Sequence, residues 1–260
     1  PLRPGPDRGD AAGEPGRVGH GPSSSLSSMS DDLATVLLQL RLRAFATTDV
    51  LRAATAVDGD RLDEVLRTAE SDRLVRHREG RIVGWSLTAA GRTRGQELLS
   101  AELDAAGTRD AVLDAYGAFL PLNAELLSIC TDWQVVVVDG EHVPNDHSDP
   151  ERDSSVLARL ARLHPAAIEV TSALGRTVPR FTGYGPRLIE SHDHVLAGRT
   201  EWLTRVTGDS YHGVWFELHE HLLAVLGRDR EHEATPDAIP TNAAGSGRPG
   251  RRAPGTGDTP

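Results

Sequence analysis

The chain has 260 residues, 38% of them hydrophobic and 25% charged, and a formal charge of −10 at neutral pH. That is enough apolar sequence for one or two modest cores, while no run approaches the roughly 20 apolar residues that cross a bilayer. The single cysteine, Cys130, excludes an intrachain disulfide and fits a reducing compartment, so the sequence predicts a cytoplasmic protein without membrane spans.

Residues 1–30 are rich in Pro, Gly and Ser and carry no apolar centre of a signal peptide, so they read as a disordered extension. Met29, where patterned sequence begins, reads as a translation start. Leu33, Val36, Leu37, Leu40 and Ala44 then fall at helical spacing. Thr47 or Thr48 is placed to cap a short helix carrying Val50, Leu51 and Ala54. Gly59 breaks that helix, and Asp60 is placed to cap a third one whose inner face is Leu62, Val65, Leu66 and Ala69. Two short helices around a glycine-containing turn make a helix-turn-helix candidate.

A strand at 74–77, a turn at 78–81 and a return strand at 82–87 follow, with Val83, Trp85 and Leu87 alternating onto one face. Such a hairpin is barely stable alone and must lean on the helices beside it. Thr88 caps the next helix, which runs through Leu98, Leu99 and Leu103. Charge is concentrated here: residues 73–94 hold six arginines (Arg73, Arg76, Arg78, Arg81, Arg92, Arg94) against one acid, Glu79. A local +5 on an acidic protein is a candidate anion-facing patch.

At "WSLTAAGR" the sequence resembles the MarR-type winged helix-turn-helix transcriptional regulators of bacteria. Leu87, Thr88, Gly91 and Arg92 match the Leu-Thr-x-x-Gly-Arg stretch at the end of that family's wing, and the order of elements over 31–100 matches too. The resemblance implies that the helix at 61–71 enters the major groove of double-stranded DNA and that the 78–81 turn touches its backbone. On this reading Arg61, Arg67 and Thr68 reach base edges, and Arg76, Arg78 and Arg81 grip phosphates. Asp63, Glu64 and Glu70 share the outer face of the same helix and repel phosphate.

Beyond the resemblance lies an acidic half: residues 99–227 carry nine arginines against nineteen acids, the whole net charge of the chain. Helical patterns dominate it, divided at Pro121 and Pro165, with a connecting loop at 136–150 and no strand alternation. The expected architecture is mainly α: a disordered 1–30, a winged helix with a hairpin wing at 31–103, an all-α domain at 104–227, and a disordered tail at 228–260.

Three readings of the second domain stay open. Its His, Trp, Tyr and Asp side chains can be ordinary core and rim residues. Tyr184, Arg187, His212, Trp215 and His219 can line a small-molecule pocket, Arg187 gripping a small acidic effector; His212, Trp215, Phe216 and His219 fall at spacings that share a helix face. His192, Asp193, His194, His212, Glu217, His219 and His221 can bind metal, although none has a recognised ligand spacing. Cys130 in an apolar helix reads as packing, and phosphate-binding loops and serine elbows are missing. The expected function is therefore a non-enzymatic, cofactor-free, homodimeric DNA-binding regulator with a ligand-sensing or association domain. The alternatives are an adaptor whose winged helix contacts protein, and a His-rich helical metalloenzyme.

Overall fold

A computed structural model describes residues 22–206 and 208–228. They form eight α-helices and two small antiparallel sheets, in the order α1 (Pro22–Arg43), β1 (Phe45–Ala46), α2 (Thr48–Thr55), α3 (Gly59–Ser71), β2 (Val75–Arg78), β3 (Gly84–Leu87), α4 (Ala89–Ala106), α5 (Arg109–Gln134), β4 (Val135–Val138), β5 (Glu141–Pro144), α6 (Pro150–Thr177), α7 (Tyr184–Leu196) and α8 (Tyr211–Leu226). α1 starts at Pro22, inside the stretch expected to be disordered. Residues 1–21 and 229–260, which include the rest of the two expected tails, lie outside the described residues.

Two apolar clusters organise these elements. The smaller unites Val36, Leu37 and Leu40 of α1 with Leu51, the inner face of α3, Val75 and Trp85. The larger takes Ala34 and Leu38 from the same helix, Leu99 and Leu103 from α4, and the inner faces of α5 to α8. α1 is thus buried on two sides, and the expected boundary at 103/104 crosses a helix that serves both clusters.

The expected two-stranded hairpin is part of a three-stranded sheet ordered β1-β3-β2. Its register pairs Val75 with Leu87, His77 with Trp85, and Phe45 and Arg76 with Ser86. β3 begins at Gly84, two residues later than the pattern suggested, and Ile82 and Val83 are 57% and 52% exposed at the turn. A Cβ at Gly84 would lie 2.6 Å from the Phe45 ring and 2.7 Å from the Ala46 carbonyl, so only glycine lets β1 close on the hairpin.

The caps follow side-chain chemistry with one correction. Thr47 accepts from the Val50 amide (3.3 Å) and starts α2. α3 is capped by Asp58, which accepts from the Asp60 amide (3.1 Å), so Gly59 sits inside the helix and Asp60 is not the cap. Thr88 accepts from the Gly91 amide (3.0 Å) and starts α4 as expected.

The acidic half departs from an all-helical reading. β4 and β5 form a hairpin in which Val138 pairs with Glu141, turning through Asp139 and Gly140 at φ of 54° and 86°. Those angles suit the primed two-residue turns that match strand twist. The four consecutive valines do not alternate in type, and Val137 and Val138 remain 61% and 52% exposed. Pro121 and Pro165 do not divide their helices either: α5 and α6 run through them. Each proline removes one amide donor, and burial on both sides, Phe119 with Leu126 and Leu163 with Ala167, holds the helix together across it.

Candidate nucleic-acid interface and an inter-helix cavity

The "LTAAGR" stretch is the joint between sheet and helix. The Thr88 hydroxyl caps α4 and lies 2.8 and 3.0 Å from the carbonyls of Arg73 and Leu74, donating back to the chain that leaves α3. Gly91 is pressed on the same carbonyl: an added Cβ would sit 1.9 Å from the Leu74 oxygen. Trp85 completes the joint, its indole Nε1 donating to Thr48 (3.0 Å) and its ring lying 4.5 Å from His77. α2, α3, the hairpin and α4 are therefore locked in one arrangement.

That frame carries an exposed basic surface. Arg76 and Arg78 lie on the outer face of β2, and Arg81 is exposed in the turn beside Ile82 and Val83. Arg67 and Thr68 are exposed on α3, and Arg73 and Arg92 are exposed nearby. Among the described residues none of Arg67, Arg73, Arg76, Arg78, Arg81 and Arg92 has a carboxylate partner. Arg94 pairs with Glu97 at 3.1 Å.

Arg61 behaves differently from its expected role. Its guanidinium donates to Asp32 on α1 and to Glu64 on α3, both at 2.8 Å, and these hydrogen bonds hold its pKa above the usual arginine value. Through Nε and Nη1 it staples α3 to α1 and to its own helix.

The five expected ligand residues split between two sides of α8. Trp215 and His219, 1% and 6% exposed, face α5: the indole donates to Asn123 (3.1 Å) and stacks on Phe119, which also abuts the His219 ring. His212 is half-buried, its amide bound to the Leu203 carbonyl (3.0 Å), and Phe216 points outward at 43% exposure. None of His212, Trp215, Phe216 and His219 lines the cavity described next.

Tyr184 and Arg187 do line one. A cavity of about 420 Å³ opens between α1 and α2 on one side and α7 and α8 on the other, with Arg43, Ala54, Arg180, Tyr184, Arg187 and His221 in its walls. Arg187 is not available as an anion grip, since it forks onto Asp209 (2.7 and 2.8 Å) and donates to Glu217 (2.8 Å). Burial alone would lower its pKa, but those two carboxylates raise it above the ordinary value. Hydrogen bonding from Arg187 in turn holds Asp209 below the usual carboxylate range, against burial, with the charges of Arg187, Arg205 and Arg43 adding.

Arg180, on the short turn Pro179–Phe181, is matched by Glu102 of α4 at 2.9 and 3.0 Å. Arg43 bonds only to the neutral amide of Gln39 and has no carboxylate partner among the described residues. His221 is 2% exposed; its Nδ1 lies 3.1 Å from the Tyr184 hydroxyl, and its Nε2 has no hydrogen-bond partner. Burial, reinforced by the charges of Arg180 and Arg41, pushes its pKa down to about 3, so the ring is neutral.

Sequence reasoning missed a second neutral pair. His164 and His192 stack at 3.9 Å and 3°, and His164 Nδ1 lies 3.2 Å from the Tyr211 hydroxyl. Burial, then the neighbouring His192, lowers His164 to about 4, and burial lowers His192 as well. The proposed metal ligands are scattered: His194 packs on Trp202, His219 on Phe119, and His221 on Phe181. Among the described residues no group of three or more such ligands could hold an ion. "NDHSDPERD" is a helix start: Asp149 accepts from the Glu151 and Arg152 amides, and His147 lies 3.0 Å from Asp153. Burial pushes the Cys130 thiol up to about 12, which leaves it unreactive.

Among the described residues no helix is long and apolar enough to cross a membrane. No protein-family model, curated protein or solved structure matches the chain.

Proposed function

We propose that this chain is a winged helix-turn-helix regulator of the MarR type that binds double-stranded DNA, with the acidic helical half as its sensing or association domain. The observation that carries the reading is the set of exposed, carboxylate-free guanidinium groups on β2 and the following turn. An exposed arginine with no internal partner retains its donor fork for a phosphate. The order α1-β1-α2-α3-β2-β3-α4 and the β1-β3-β2 sheet support the fold assignment, because they set α3 and the hairpin side by side. Ile82 and Val83 at the hairpin tip add apolar contact next to Arg81, which suits a groove wall.

Base readout falls to Arg67 and Thr68, with Arg61 holding α3 in place. The exposed acids Asp63, Glu64 and Glu70 on the same helix lower affinity for arbitrary DNA and leave discrimination to correct base contacts. The protein acts as a homodimer on a near-palindromic site in this reading. Genome-wide capture of bound DNA, followed by fluorescence anisotropy on the recovered duplexes, tests it. Recovery of one recurrent inverted repeat is the expected result. Absence of any enriched duplex, together with no binding at low salt, transfers the hairpin to protein recognition.

A further inference from the structure

The cavity beside α1 carries charge of opposite sign on its two walls. On the α7–α8 side Arg187 is shared by Asp209 and Glu217, which leaves that trio with one net negative charge, felt by Arg205 and by Arg43. On the α1 side Arg43, tied only to Gln39, supplies one positive charge without a carboxylate partner. Arg180 is matched by Glu102 and adds nothing net. Leu38, Leu42 and Ala54 give the cavity an apolar flank, and His221 leaves a buried nitrogen unpartnered beside Tyr184.

A simple anion in this space would gain Arg43 and be repelled by the trio; a simple cation would meet the reverse. A molecule carrying both charges compensates both walls, which matters because partly buried charge is costly unless paired. The volume, about 420 Å³, lies in the range of sites for metabolite-sized ligands. We propose that the cavity binds a zwitterionic small molecule of the α-amino-acid class with an apolar side chain, its carboxylate on Arg43, its ammonium at the Asp209–Glu217 edge, and its side chain against Leu42 and Ala54. The ligand bridges the last turn of α1, which leads directly into β1 and α2, to α7 and α8. Occupancy of the site stands independently of DNA binding; only its regulatory consequence rests on the reading above.

The test is isothermal titration calorimetry of the full chain with L-leucine and L-phenylalanine. The comparison ligands are 4-methylpentanoate and 3-phenylpropionate, which lack the ammonium, and the two amino-acid amides, which lack the carboxylate. Saturable binding of at least one amino acid is expected, with roughly tenfold or greater weakening for its acid and its amide. Arg43→Gln and Glu217→Gln should each weaken binding by a similar factor while far-ultraviolet circular dichroism stays unchanged; if Glu217→Gln does not fold, Arg43→Gln alone decides. No heat from either amino acid, equal affinity for 3-phenylpropionate and phenylalanine, or unaltered binding by folded Arg43→Gln overturns the proposal. Adding the bound amino acid to a labelled operator duplex then separates the two ideas: ligand binding with no change in DNA affinity retains the site and removes the coupling.

Discussion

Several arginines of the acidic half are internal staples, whereas those around the hairpin mostly face outward. Arg159 reaches Glu125 and Asp132, Arg180 holds Glu102, and Arg187 holds Asp209 and Glu217, although Arg162 and Arg176 of the same half are exposed without a carboxylate partner among the described residues. Arg67, Arg73, Arg76, Arg78, Arg81 and Arg92, on and around the hairpin, are exposed and lack carboxylate partners among the described residues, although Asp72 and Glu79 are close in sequence. The same side chain serves as an internal staple in one region and as an outward donor in the other. Composition alone cannot separate these uses; internal partners, together with the clustering of six carboxylate-free arginines around the hairpin, do.

The contrast breaks most severely if the frame beneath the outward arginines is removed. Gly91→Ala drives a methyl into the Leu74 carbonyl, and urea denaturation should register a loss on the order of 3 kcal/mol as the joint between hairpin and α4 opens. Arg187→Met should cost slightly less, about 2 kcal/mol, because Asp209 and Glu217 are left facing each other while retaining some solvent.

Acid should weaken the stapled half next. His164 and His221 titrate lower in the folded chain than their ordinary value near 6.5, so the unfolded chain takes up protons first. Their contribution is complete above about pH 6.5 and is lost as pH falls toward about 4 for His164 and about 3 for His221. Scanning calorimetry should therefore show a falling Tm from pH 7 to 5, with a shallower fall in His164→Phe, which keeps a ring against His192. Smallest of all, Arg61→Ala should change DNA affinity by no more than about twofold, since its donors already serve Asp32 and Glu64. A large loss there would return Arg61 to the interface.

What could be read in the sequence depended on whether the governing contact was local. Thr88 and Gly91 were legible because cap and glycine lie within one turn of each other, and α3 because its inner face repeats at helical spacing. The β4–β5 hairpin was missed because four valines hide the alternation, although Asp139-Gly140 was a direct turn signal. Pro121 and Pro165 suggested breaks that packing on both sides suppresses. The fate of Arg61 and Arg187 was hidden, because their partners Asp32 and Asp209 lie 29 and 22 residues away. The cavity was hidden more deeply, as its walls join α1 to α8, segments that Arg41 and Glu220 bridge across 179 residues. Tyr184 and Arg187 lie in the cavity wall, while Trp215 and His219 turn toward α5.

The salt dependence of DNA binding by the wild-type chain and by an Arg76→Ala/Arg78→Ala/Arg81→Ala variant tests the central claim most directly. The account predicts that the variant keeps the wild-type Tm and that its slope of log affinity against log salt is shallower by about 2 to 3, one phosphate contact for each arginine removed. An unchanged slope in a folded variant would contradict it.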